Sequence, residues 1–288
     1  MSKLNKAEKR KDQSPFHEIA PDVYFMEVGK GIDRSNVFFV RSGSSWVLID
    51  TASVNCGHLI RKAAESIFGA NIPPASILLT HSHPDHAGSV HELVRMWSCP
   101  VYVHPDELPV AIAADIPTFE KYANPLDRWI VLPLLRIMPR RRVATMLSGT
   151  SLKDVVQAFD PGAPVPGLPD WEYVPAPGHT PGQVAFFRPG DRVMITGDAV
   201  MTADINSFRG FLLWSLRINK QRISGPPWYS TLNKQLAKKS VAAIAALEPR
   251  VLASGHGVPM QGEGTARELH AFANRYLVSG GKPDKNAK

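Results

Sequence analysis

Three imidazoles and a carboxylate stand within six positions in the run Thr80-His81-Ser82-His83-Pro84-Asp85-His86. Nitrogen and oxygen donors at that density suit zinc, and iron, manganese or nickel also accept them. The four cannot share one helix face, where side chains meet at i, i+3 and i+4, so an irregular loop must aim them into one small volume. Single donors recur at three later places. His179 stands in Pro177-Gly178-His179-Thr180-Pro181-Gly182, Asp198 follows Val193-Met194-Ile195-Thr196-Gly197, and His256 follows Val251-Leu252-Ala253-Ser254-Gly255. Each closes an apolar run beside a glycine, which lets the backbone turn tightly around an ion. A lone histidine is usually a surface or core-satisfied side chain, but seven donors in four such contexts are hard to explain without metal.

The elements that must carry these donors follow from periodicity. Ile77-Leu78-Leu79-Thr80 reads as a short buried strand ahead of the first cluster, and Val90, Leu93 and Val94 read as the helix behind it. Val23–Val28, Val37–Val40 and Trp46–Asp50 read as earlier strands, the last two joined by the turn Ser42-Gly43-Ser44-Ser45. Leu59, Ile60, Ala63, Ala64, Ile67 and Phe68 repeat at helical spacing, and Gly69 stops that helix. The second half has the same grammar: strands before His179, Asp198 and His256, a helix through Val241, Ile244 and Leu247, and a closing helix with Leu269, Phe272 and Tyr276. No exact internal repeat is visible. Two stretches do not fit this alternation. One is a Pro-rich, largely helical segment from about 105 to 170, including Trp129-Ile130-Val131-Leu132-Pro133-Leu134-Leu135. The other is the apolar run Phe208-Arg209-Gly210-Phe211-Leu212-Leu213-Trp214 after Asp198. The first is readable as a lid, a dimer contact or core; the second as a lid or substrate wall, or as core.

His81-x-His83-x-Asp85-His86 with His179, Asp198 and His256 resembles the complete ligand set of the dinuclear metallo-β-lactamase-fold hydrolases, glyoxalase II and lactonases among them. The likeness runs from about Asp22 to Tyr276 and includes Val47-Leu48-Ile49-Asp50-Thr51, which is similar to an early strand of that family ending in Asp. The resemblance implies an α/β fold, a four-layer αβ/βα sandwich with a helical insertion at about 105–170, occupying residues 16–278. It implies that His81, His83 and His179 hold one divalent metal ion and Asp85, His86 and His256 a second. Asp198 would bridge the two, and Asp50 would orient a ligand from behind. Zn2+ is the expected metal, with Fe or Mn as alternatives. A bridging hydroxide would attack the substrate, with Asp85 assisting proton transfer as the catalytic carboxylate.

Departures from individual branches narrow the reaction. No Cys stands at position 198, as it does in some β-lactamases of the family; His83 stands where iron flavoproteins of this fold carry Glu; Gln183 stands where glyoxalase II has a further His; Met201 stands where lactonases place a Tyr. The expected substrate is a small ester, thioester or lactone with an apolar portion, contacted by Met201, Phe208, Phe211 and Trp214. A phosphodiesterase or a mononuclear-iron persulfide dioxygenase is the alternative.

Bulk properties set wider bounds. The chain has 288 residues, 44% hydrophobic, enough for a sizeable core. No run approaches about 20 uninterrupted apolar residues, so no membrane span is expected. Residues 1–15 and 279–288 read as tails, the first basic, with no apolar segment behind it of the secretory kind. Two cysteines, Cys56 and Cys99, are too few for a disulfide framework, which points to a reducing, cytoplasmic setting. A net charge of +7 is spread over the tails and Arg140-Arg141-Arg142, without the aromatic interleaving that stacks bases, so no nucleic acid is expected as a partner. A homodimer remains open.

Overall fold

Phe38-Phe39-Val40 and Val47-Leu48-Ile49 run apolar without alternation because both faces of their sheet are covered. The computed structural model describes residues 15–218 and 221–278; the expected tails, apart from Pro15, lie outside them. The first sheet has seven strands in chain order: β1 (His17–Ala20), β2 (Val23–Val28), β3 (Ser35–Ser42), β4 (Ser45–Ile49), β5 (Ser76–Leu78), β6 (Val101–Val103) and β7 (Val156–Ala158). Its first four strands are antiparallel and its last four pair in parallel. The second sheet runs β12-β11-β10-β9-β8, from Glu172–Pro175 (β8), Val184–Arg188 (β9), Val193–Ile195 (β10), Val251–Ala253 (β11) and Met260–Gln261 (β12).

Strand alternation sorts the apolar residues into layers. Phe38, Val40, Val47, Ile49 and Leu78 meet Phe186, Val193, Ile195 and Ala253 between the two sheets. Their neighbours Phe39, Leu48 and Ile77 face the other way, under Ile60, Ala63, Val90 and Leu93 of the helices Gly57–Phe68 (α1) and Val90–Trp97 (α3). On the far side, Phe187, Met194 and Leu252 pack under Val241, Ile244 and Leu269 of α9 (Lys234–Ala246) and α10 (Gly264–Val278). The result is the expected αβ/βα sandwich. Helix α1 ends where the sequence places its stop: Gly69 adopts φ 102 and donates its N–H to Glu65 O at 3.0 Å.

Between β6 and β7 the chain forms α4 (Leu108–Ala111), α5 (Ile116–Lys121), a π-helical turn (Asp127–Val131), α6 (Leu132–Ile137) and α7 (Arg140–Thr150). Leu135, Val143 and Leu147 give this segment a small core of its own. It then returns to the first sheet as β7, so part of the 105–170 stretch belongs to the sandwich itself. The apolar run after Asp198 is a helix, α8 (Phe208–Ser215), capped by Ser207 Oγ, which accepts from Gly210 N. Helix α2 (Pro84–Ala87) is the single turn carrying Asp85 and His86.

Candidate metal centre

Each of the seven donors sits where a strand of one sheet ends against the other. β5 stops at Leu78 rather than running on to Thr80, because the Thr80 N–H and hydroxyl turn to Asp50 Oδ1 and Oδ2, both at 2.8 Å. His81 and His83 follow in extended loop, and α2 swings Asp85 and His86 back toward them. His179 lies between β8 and β9, Asp198 follows β10, and His256 follows β11.

All seven converge. Ligand atoms of His81, His83 and His179 lie within 4.8 Å of one another, as do those of His81, His86 and Asp198, and those of Asp85, His86 and His256. Asp198 is central: Oδ1 lies 3.4 Å from His86 Nε2, while Oδ2 lies 3.4 Å from His256 Nε2 and 3.6 Å from His179 Nε2. Asp85 Oδ2 is 3.2 Å from His256 Nε2. Asp50 stands behind this group, its Oδ2 accepting a hydrogen bond from His86 Nδ1 at 2.8 Å, which turns Nε2 inward. His256 Nδ1 donates to Arg34 O at 2.7 Å with the same consequence.

These donors fit a metal. His81 Nε2, His86 Nε2, His179 Nε2 and Asp198 Oδ1 are buried and have no hydrogen-bond partner. Such orphaned groups are costly in a folded interior unless an ion satisfies them. The electrostatics divide the cluster in two. Burial, then the neighbouring imidazoles, push His81 well below the usual histidine range, and burial with His83 lowers His179 to about 3. Both are neutral imidazoles, ready to donate a lone pair. Burial opposes the charging of His86 and His256 too, but Asp198 and Asp85 outweigh it, raising His86 strongly and His256 to about 10. Burial likewise works against ionisation of Asp198 and Asp85, and His256 and His86 hold both carboxyls well below their usual range. Without metal, the carboxylate-rich half is neutralised by imidazolium protons.

The residues expected at the substrate do not share one environment. Met201 and Trp214 are buried together with Ala203 and Ile205, and Phe211 packs on them. The Trp214 ring stands edge-on to His256 at 5.5 Å, with the Arg34 guanidinium 4.9 Å above it. Phe208, at the start of α8, is 87% exposed and belongs to no cluster with them.

Several supporting residues escape a reading of the sequence. Glu107 is fully buried and accepts from Ser82 N (2.9 Å), Ser82 Oγ (2.7 Å) and Gly182 N (2.9 Å), tying the His81–His83 loop to the His179 loop. A charged residue beside Asp106 carries no sequence signal for that role. Asn36 donates through Nδ2 to Ser254 O and Gly257 O, bracketing the His256 turn. Near the His179 loop, burial and then the Asp198 and Asp85 carboxylates push the Tyr229 phenol up to about 12. Leu126 N donates to Tyr229 O, and Thr231 Oγ1 meets His179 Nδ1 at 3.4 Å, so the helical segment and the 226–231 stretch both border the imidazoles. Gly255 is required sterically. A Cβ there would collide with Asp198 Oδ1 and come within 2.5 Å of His86 Cε1.

Comparison with known proteins agrees with this geometry. The metallo-beta-lactamase superfamily model matches residues 31–256, and the chain belongs to that superfamily. Among curated proteins it is similar to the "Probable metallo-hydrolase YflN" of Bacillus subtilis, 34% identical over 252 residues, 86% of this chain and 89% of that one. The "Probable metallo-hydrolase YybB" of the same organism is 24% identical over 222 residues, 77% of this chain and 80% of its own. Among solved structures, the metallo-beta-lactamase family protein TTHA1429 from Thermus thermophilus shares the fold, with a TM-score of 0.61, 17% identity, and coverage of 90% of this chain and 79% of that one.

Proposed function

We propose that this chain is a dinuclear metal-dependent hydrolase acting on a small ester, thioester or lactone with an apolar portion. The observation that carries the reading is the convergence of seven donors with four ligand atoms buried and unpartnered. The metallo-hydrolase class also agrees with the superfamily and with the names of its relatives. His81, His83 and His179 would hold one ion, and Asp85, His86 and His256 the other, with the two oxygens of Asp198 facing both. The all-N/O donor set favours Zn2+, with Fe or Mn as alternatives. Bound divalent ions would supply Lewis acidity, activating water near neutral pH and polarising the bond under attack.

The chain's own groups would do the rest. Asp85, whose side chain is 31% exposed where His86 is fully buried, is the carboxylate open to solvent; it would accept an O–H of the attacking water at Oδ2. Tyr229 stays a protonated phenol through the neutral range and would donate its O–H to a substrate oxygen as charge builds there. Met201, Phe211 and Trp214 form an apolar wall on the His256 side, whereas Phe208 stands outside it. The two thiols, Cys56 and Cys99, are free and buried, consistent with a cytoplasmic setting.

The test is elemental analysis of protein purified without chelator, alongside p-nitrophenyl esters, lactones, thioesters and bis-p-nitrophenyl phosphate. The expected outcome is about two equivalents of transition metal, with turnover of the carbonyl substrates above that of the diester. Preference for the diester would move the assignment to a phosphodiesterase. A stoichiometry near one iron with sulfur-dependent oxygen uptake would move it to a persulfide dioxygenase.

A further inference from the structure

The helical run from Leu126 to Ile137 is apolar on both sides. Its inner side is ordinary: Leu132 and Leu135 are 3% exposed, and Leu135 packs in the small core with Val143 and Leu147. Its outer side is not. Leu126, Trp129, Ile130, Leu134 and Ile137 are all exposed, Trp129 at 82% and Ile137 at 80%. They recur at short intervals along the π-helical turn and α6, and all five are open to solvent. A contiguous exposed apolar stripe of this kind marks an interaction surface.

The charge around this stripe indicates what covers it. Arg128, Arg136, Arg140, Arg141 and Arg142 are exposed, and between 126 and 150 the single acidic residue is Asp127. The Asp127 carboxylate accepts from Asn124 N at 3.3 Å and lies within electrostatic reach of His83. Arg136 is paired with Glu120 at 2.8 Å, while Arg140–Arg142 open helix α7 at the end of the stripe. A two-fold contact between copies of this chain would bury the apolar stripe but would bring no acidic group from 126–150 to the arginines other than Asp127. An anionic bilayer meets both demands: its acyl boundary takes Trp, Ile and Leu, and its headgroups take the guanidinium groups.

We propose that the outer face of Leu126–Ile137, with Arg140–Arg142 at its end, is a peripheral docking surface for anionic lipid bilayers. Among the described residues no helix is long and apolar enough to cross a membrane, so the contact is one of lying on the surface. Leu126 N donates to Tyr229 O, so docking would set the rim of the metal centre beside the lipid.

The experiment is co-sedimentation of the full chain with vesicles of phosphatidylcholine, alone and mixed two to one with phosphatidylglycerol. Binding to the mixed vesicles, well above that to neutral ones and falling with added salt, is expected. Joint Trp129→Glu and Ile137→Glu should abolish it with an unchanged melting temperature, since both side chains are exposed. Joint replacement of Arg140, Arg141 and Arg142 by Gln should weaken it about a hundredfold, roughly fivefold per arginine. Equal partitioning to both vesicle types, or binding indifferent to both sets of substitutions, would overturn the proposal. So would a dimer in gel filtration that the Glu variant splits, which would assign the stripe to a second copy of the chain. None of these readouts involves hydrolysis, so an error in the proposed reaction leaves the test intact.

Discussion

At the scale of single residues, Asp198 carries the most. Its two oxygens face His86 on one side and His179 and His256 on the other, within 3.6 Å. Asp198→Asn keeps the shape and removes the charge that would balance two ions in the proposed dinuclear centre, so both metals are expected to loosen together. Activity is expected to fall by more than the roughly 10- to 100-fold typical of residues that merely support a ligand. Elemental analysis beside initial rates checks this; near-native turnover with both metals bound would refute the central placement. Tyr229 offers a different signature, because it is proposed to meet substrate and not metal. Tyr229→Phe should leave metal content unchanged and lower kcat by about a hundredfold, the usual cost of removing one donor to developing charge. A drop confined to KM would instead mark it as a binding contact.

At the scale of elements, the site depends on how loops are tied to one another. Glu107, from the start of the helical segment, holds the His81–His83 loop and the His179 loop with three hydrogen bonds. Glu107→Ala leaves two backbone N–H groups and a hydroxyl without their acceptor, at about 1–3 kcal/mol for each one left buried and unsatisfied. A melting temperature lower by several degrees is expected, with weaker retention of metal during dialysis. Unchanged values of both would mean water replaces the carboxylate freely. Helix α8 poses a second question. Trp214 is 2% exposed and touches His256, so Trp214→Ala should cost about 3–5 kcal/mol of stability. If its ring also lines the acyl site, kcat/KM across a homologous ester series should lose its rise with chain length. A thermal melt and the kinetic series, run on one preparation, separate packing from recognition.

At the scale of the whole molecule, metal and stability are linked through protons. In metal-free protein His81 and His179 have folded values below the unfolded value of about 6.5. A histidine shifted down favours folding while neutral, so this contribution is whole above about pH 6.5 and is lost as pH falls toward about 3. His86 and His256 are shifted up, His256 to about 10, so theirs is whole below about pH 6.5 and is lost as pH rises through about 10. Chelator-stripped protein should therefore melt highest near neutrality and lower on both sides, by about 1 kcal/mol per pH unit per imidazole. Metal takes the place of the imidazolium protons, so the alkaline decline should vanish on reloading with Zn2+. A chelated sample with a flat profile from pH 6 to 9 would argue against charged His86 and His256.

The donors themselves were legible in the chain. His81, His179, Asp198 and His256 each come after an apolar run, and His83, Asp85 and His86 crowd the loop behind His81; that pattern is local, because a strand needs its own side chains and a ligand loop its own donors. The two sheets were legible for the same reason, since Phe38–Val40 and Val47–Ile49 announce burial on both faces. Distance in the chain hid the rest. Glu107 reads as a surface acid until folding brings Ser82 and Gly182 to its two oxygens. Tyr229 lies 31 positions from Asp198 in the sequence yet feels its charge. The run 208–214 reads as one apolar block, but its helix turns Trp214 onto His256 and leaves Phe208 in solvent, a division set by which side of α8 meets the sandwich. Periodicity gives a helix its faces; only the neighbours that arrive from elsewhere in the chain decide which face is covered, and in Leu126–Ile137 they cover just one.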